Sequence, residues 1–154
     1  MIQQIIFGDN KPNTLYSDVA EQAAKSVQYS GNKNNSTQLR KFYDEVVKWN
    51  NKIQGKQDEK SREAEFKLSL PDIQKLKSQA AYAFSRDLID EKYLAIFNHC
   101  IDCITSPKML KEVKFFMEAM MGFYKYHEKL KEIEQEKQRN QRKQFNNKSN
   151  FQRR

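Results

Sequence analysis

Residues 36–53 read STQLRKFYDEVVKWNNKI. Apolar side chains fall at Leu39, Phe42, Val46, Trp49 and Ile53, in steps of three, four, three and four. That spacing lays one apolar stripe along an α-helix, whereas a half-buried strand needs alternation. Turn formers in SGNKNNS precede the stretch and Gly55 follows it, so both ends are marked. Arg40 and Lys41 stand in the expected first turn, where the helix dipole favours anions. Either they are solvated or they face something negative.

The same period recurs on both sides. Upstream, Leu15, Val19, Ala23 and Val27 predict a helix from about Thr14 to Tyr29. Downstream, Ile73, Leu76, Ala80 and Ala83 predict a third helix, and Ile89, Tyr93, Ile96, Phe97, Cys100, Ile101 and Ile104 a fourth. Met109, Leu110, Val113, Phe116, Met117, Met120, Tyr124, His127 and Leu130 predict a fifth and longest one. Pro71 and Pro107 each suit a first helical turn, where the missing N–H costs nothing, and Ser106 is a good N-cap. The charged run KQDEKSREAE after Gly55 reads as a connection. Four Gly and three Pro in 154 residues are too few for the turns of a sandwich or barrel. The expected fold is all-α, a compact bundle of about five helices. Its organisation reads as an N-terminal arm over 1–13, a helical bundle domain over 14–136 and a disordered basic tail over 137–154. Gly122 interrupts the fifth helix and reads as a place where another helix comes close, or else as a plain weak point.

The formal net charge is +8 and is unevenly placed. Seven of the 28 basic residues lie from Lys137 onward, where there is no acid. Residues 1–136 then hold 21 basic against 20 acidic residues, a net charge of +1. The body is nearly neutral and the tail strongly cationic. Such a tail attracts polyanions, and Phe145 and Phe151 within it can stack on unpaired bases. No segment approaches the ~18 apolar residues of a membrane span. MIQQIIFGDN lacks a basic region and a long enough apolar run for a signal peptide. The expected compartment is the cytoplasm, with no membrane partner.

Cys100-Ile-Asp-Cys103 with His99 and His127 offers the residue types of a zinc site, and CxxC is also a redox spacing. Both cysteines fall on or beside the apolar face of the fourth helix, where a free thiol acts as a small hydrophobe. Redox CxxC motifs normally open a helix after a strand, and none is predicted. Carboxylates such as Asp44, Glu45, Asp87 and Glu118 mostly flank basic residues at helical spacing, with Asp44–Lys48 and Lys41–Glu45 as expected i,i+4 pairs. There is no phosphate-cradling glycine loop and no nucleophile motif. The expectation is a protein that is not an enzyme and carries no metal or other cofactor.

The basic residues of the body sort by helix face. Lys41, Lys48 and Lys52 lie away from the apolar seam of the second helix. Lys75 and Arg86 share a stripe of the third with Gln79 and Tyr82, and Lys77 stands to one side. Basic residues among amides and a tyrosine can hold a phosphate backbone without reading bases. A solvated bundle surface has the same appearance, and a nearly neutral body lacks the usual electrostatic footprint.

Four segments in order, AEQAAKSV, STQLRKFYDEV, LPDIQKLKSQAAYAFSRD and FFMEAMMGFYKYHE, resemble the small subunit of type III-A CRISPR–Cas (Csm) effector complexes. The resemblance runs from about residue 20 to 128. Its most specific pieces are residues 36–41, Ala81-Tyr82 with Arg86, and Met117-Glu118-Ala119 followed by Phe123-Tyr124-Lys125-Tyr126. Ser85 departs from a glycine often found before the arginine, and the basic tail lies outside the resemblance. The resemblance implies a non-catalytic helical subunit, present in several copies. Those copies would stack into the minor filament of a crRNA-guided ribonucleoprotein and touch the backbone of crRNA and target RNA. It implies other Csm subunits and further copies of itself as partners, in antiviral defence. Arg40, Lys41, Arg86 and Lys125 match family positions. Lys48, Lys52 and Lys77 are added from helix faces alone. A helical adaptor that binds protein without nucleic acid is the alternative.

Overall fold

The computed structural model describes residues 1–28 and 31–153. Five α-helices follow one another among them: α1 (Ala20–Val27), α2 (Ser36–Gln54), α3 (Glu59–Ser85), α4 (Glu91–Asp102) and α5 (Pro107–Gln152). The all-α bundle expected from the periodicity is present. A π-helical turn, Leu15–Val19, leads into α1, and Tyr29, where the first helix was expected to end, lies outside the described residues. Side-chain caps mark four starts: Asn35 accepts from Gln38 N–H, Asp58 from Ser61, Asp90 from Tyr93 and Ser106 from Met109. Each satisfies an N–H that the helix itself leaves without a partner.

One apolar core runs through the bundle. α5 packs against α1 and α2, and α3 packs against α2 and α4. Leu39, Phe42, Val46 and Ile53 of α2 are buried as the seam predicts, while Trp49 is only partly covered. Phe42 meets Phe97 and Tyr93 with ring centroids 4.9 and 5.8 Å apart. The N-terminal arm belongs to this core: Ile5 and Phe7 are buried, and Phe7 sets its ring edge-on to Phe116 at 5.8 Å. Lys11 reaches the buried Glu112 of α5 at 2.8 Å, and this bond raises the Lys11 pKa above its ordinary value.

Four expectations need correction. The charged run after Gly55 is mostly helix, because Asp58 caps it and its Glu, Lys, Arg and Ala residues are good helix formers. Pro71 therefore lies inside α3 rather than at its first turn. The carbonyl it leaves without a partner belongs to Lys67, which is exposed and open to water. Gly122 gives no close approach within the chain, since a Cβ there would meet nothing within 4 Å. The tail is not irregular: α5 continues to Gln152, and side chains 129–148 are exposed throughout. Residues 125–152 contain no Gly or Pro to stop the helix and are rich in Glu, Lys, Gln and Arg. Arg154, the last residue of the expected tail, lies outside the described residues.

One end of the bundle is organised by Asn34, which is fully buried with φ +60°. Its side-chain amide donates to Val27 C=O at 3.0 Å, and its Oδ1 accepts from Asp90 N–H at 2.9 Å. Its backbone N–H donates to Leu88 C=O at 3.0 Å, and its C=O accepts from the Tyr124 hydroxyl at 2.7 Å. Asparagine tolerates this left-handed backbone better than most residues. Asn34→Ala removes both side-chain bonds, one to the buried Val27 C=O and one to the part-buried Asp90 N–H, and strains the backbone. It is expected to cost about 2–4 kcal/mol in urea unfolding. Asn34→Gly, which relieves the strain, is expected to recover about 1 kcal/mol of that loss; equal stability of Asn34→Ala and the parent chain would contradict the hub.

Candidate nucleic-acid interface

Asn34 gathers residues distant in sequence at this end. α3 stops in a Schellman turn, with Asp87 N–H on Phe84 C=O and Leu88 N–H on Ala83 C=O, both at 3.0 Å. Asp87 takes φ +59° in it. Arg86 is thereby the residue that caps α3, and its guanidinium lies over the Tyr82 ring at 5.7 Å. The next residues, Leu88 and Asp90, are those bonded to Asn34. Asn35 then caps α2, and Ser36 opens it.

Lys125 arrives from α5. Its ammonium donates to Ser36 Oγ at 3.1 Å and also meets Glu128 at 3.3 Å. Tyr124, the residue before it, holds Asn34. Arg40 lies one turn beyond Ser36 on α2 and so shares its face. Arg40, Arg86 and Lys125 thus collect at one end of the bundle, joined through Asn34 and Tyr124. Lys33 is there too, 3.5 Å from Asp87. The helix start itself corrects an expectation: α2 begins at Ser36, so Arg40 and Lys41 occupy its second turn, and Lys125 is the cation at its N-terminus. Positive charge at that position opposes the dipole, and an anion placed there would relieve it.

The other expected cations form a different set. Lys41, Lys48 and Lys52 follow one another at helical spacing along the exposed side of α2. Lys48 and Lys52 lie 5.1 and 5.3 Å from the Trp49 ring centroid. The ion pairs differ from those read off the sequence: Arg40 pairs with Asp44 at 4.0 Å and Lys48 with Glu45 at 3.4 Å. Lys52 crosses to Glu65 of α3 at 3.2 Å, a bond that lowers the Glu65 pKa. Lys77 holds Asp102 of α4 at 2.6 Å, which makes it a tie between helices. Lys41 has no ion-pair partner among the described residues. Asn34 escaped the sequence reading, its one signal being the run of turn formers in SGNKNNS, and Tyr124 was read as an apolar position of the fifth helix but not as a partner of that loop.

The two thiols of the CxxC sit in different surroundings. Cys100 is buried and burial pushes its thiol pKa well up; Cys103 is raised as well, first by burial and then by Asp102. His99 Nε2 lies 2.7 Å from Ile5 C=O and 3.7 Å from Cys103 Sγ. His127 meets Glu21 of α1 at 3.4 Å instead. Among the described residues no three His, Cys, Asp or Glu side chains converge as metal ligands. An internal cavity beside Cys100 measures about 10 Å³, room for no more than one water. Among the described residues no helix is long and apolar enough to cross a membrane.

A family model described as Csm2 Type III-A matches residues 10–130, well over half of the chain. No curated protein and no solved structure matches the chain.

Thiol burial has a direct readout. Native protein treated with iodoacetamide is expected to modify slowly at Cys103 and not at Cys100, with the second adduct appearing in mass spectra only after unfolding. Rapid native modification of Cys100 would contradict a buried, protonated thiol.

Proposed function

The chain belongs to the Csm2 Type III-A family, a small subunit of the type III-A CRISPR Csm complex, and we propose that it is a non-catalytic, cytoplasmic part of that complex which binds nucleic-acid backbone. In this reading, copies of the chain associate into the minor filament alongside the other Csm subunits. Arg40, Lys41, Arg86 and Lys125 meet phosphates of the crRNA–target RNA duplex, with Lys48 at the edge of the contact. Lys52 and Lys77 are engaged by Glu65 and Asp102 and serve mainly as ties between helices. The observation that supports the reading is Lys125 held on Ser36 at the N-terminus of α2, with Arg40 one turn into that helix and Arg86 on the capped end of α3 at the same end of the bundle. A phosphate there would meet guanidinium, ammonium and helix dipole together. Sequence would be read by base pairing with the guide, so the protein needs only contacts indifferent to sequence.

The pairing of Arg40 with Asp44 and Lys48 with Glu45 favours a second reading. In it the cations are neutralised surface and the subunit is an adaptor that touches only protein.

Charge reversal separates the two. The variant Arg40→Glu, Lys41→Glu, Arg86→Glu changes exposed side chains and is expected to retain its helical signal and cooperative melting. Its affinity for RNA of any sequence is expected to fall. The slope of log K against log salt should become shallower by roughly one unit per phosphate contact removed. An unchanged slope in a folded triple variant would favour the adaptor.

A further inference from the structure

The projecting half of α5 lies beyond residue 130, where the family match ends. It is exposed on all sides, and from Lys137 onward it has no acidic residue. A helix that is polar all round gains nothing from packing and is marginal by itself. What the helix does is sort side chains. Gln138, Gln141, Arg142 and Phe145 recur at three-, four- and seven-residue spacing on one exposed stripe, with Asn146 beside them. Phe145 is 73% exposed. Arg139 and Lys143 flank the stripe, and neither they nor Arg142 has an ion-pair partner among the described residues. In the body, by contrast, Arg40, Lys48, Lys52, Lys77 and Lys125 all have carboxylate partners.

We propose that this stripe is a second nucleic-acid site, distinct from the bundle end, and that its ligand is single-stranded RNA. Unopposed Arg139, Arg142 and Lys143 supply phosphate contacts. Phe145 offers a face on which an unpaired base can stack, and the neighbouring amides can bond to ribose or base edges. A duplex fits less well, because its bases stay stacked and are not free to cover the ring. A protein groove fits less well too. It needs apolar anchors on one helix face, whereas Phe145 and Phe151 stand about 120° apart around the axis. A lipid surface would require a broad apolar face, and here Gln, Asn, Lys and Arg separate the two rings. The inference does not rest on the phosphate contacts proposed for Arg40, Lys41 and Arg86.

The test uses the full chain and two fluorescent probes, an oligouridylate and a blunt RNA duplex of equal length, titrated across a salt series. Phe145→Leu keeps an apolar helix former in place but removes the ring. It is expected to weaken oligouridylate binding on the order of 5- to 100-fold, the scale of one lost base–aromatic stack, at low and high salt alike. Duplex binding should not change. Arg142→Gln is expected to weaken both at low salt and to flatten the single-strand salt slope by about 0.7. Circular dichroism should show unchanged helix in both variants. Oligouridylate affinity unchanged in Phe145→Leu, or an equal loss on both probes, overturns the stacking site. Unchanged affinity in both variants together with failure to join the Csm complex would mark the stripe as a protein-docking element and overturn it too. Phe145→Leu should act equally in the parent chain and in the Arg40, Lys41, Arg86 reversal variant. The two sites can therefore fail independently.

Discussion

A single buried residue, Asn34, sets the geometry on which the candidate interface depends through its side chain and its backbone. It bonds the C-terminal end of α1, the loop between α3 and α4 and the Tyr124 hydroxyl of α5. Its neighbour Asn35 starts α2. A buried amide is stabilising only when its polar atoms are met, and at Asn34 both the amide nitrogen and the amide oxygen find a partner. Because those partners come from three parts of the chain, small movements of any one helix would break a bond in a dry environment. The bundle end is therefore more sharply defined than apolar packing alone would make it.

That definition matters because the surface it supports has little net charge to work with. Residues 1–136 carry a net charge of +1, so no broad positive field draws in a polyanion. In the proposed reading, position does what total charge does not. A cation at the N-terminus of α2, an arginine on the capped end of α3 and an arginine one turn into α2 are set at the same end of the bundle by backbone geometry. The distal part of α5 is the opposite case. It has charge without enclosure, cations without counter-ions and a helix that touches no core. Body and extension thus offer two kinds of contact: one placed by tertiary structure, the other presented by a single helix.

The thiols and histidines illustrate how residue types mislead without geometry. One histidine, two cysteines and an aspartate crowd residues 99–103 in the composition of a metal site. In the fold, His99 turns to a carbonyl of the N-terminal arm, Cys100 enters the core and His127 reaches Glu21. Each group is engaged in holding segments together. Glu112, buried and joined to Lys11, does the same for the arm and α5.

Local order was legible in the sequence because it depends on neighbours within a few residues. The apolar seam of α2, the cap at Ser106 and the burial of Leu39, Phe42, Val46, Cys100 and Phe116 follow from periodicity and short-range chemistry. The family resemblance, too, rested on short runs in order. Rules of the same local kind failed at Pro71 and in the tail. A proline suits a first turn but is also tolerated within α3, and low apolar content does not itself stop a run of helix formers. What only the tertiary structure decided are the meetings between distant residues: Asn34 with Asp90 and Tyr124, Lys125 with Ser36, Lys77 with Asp102, Lys11 with Glu112. No local spacing encodes such pairs, because they depend on how whole helices dock, and docking is settled by the summed packing of the core.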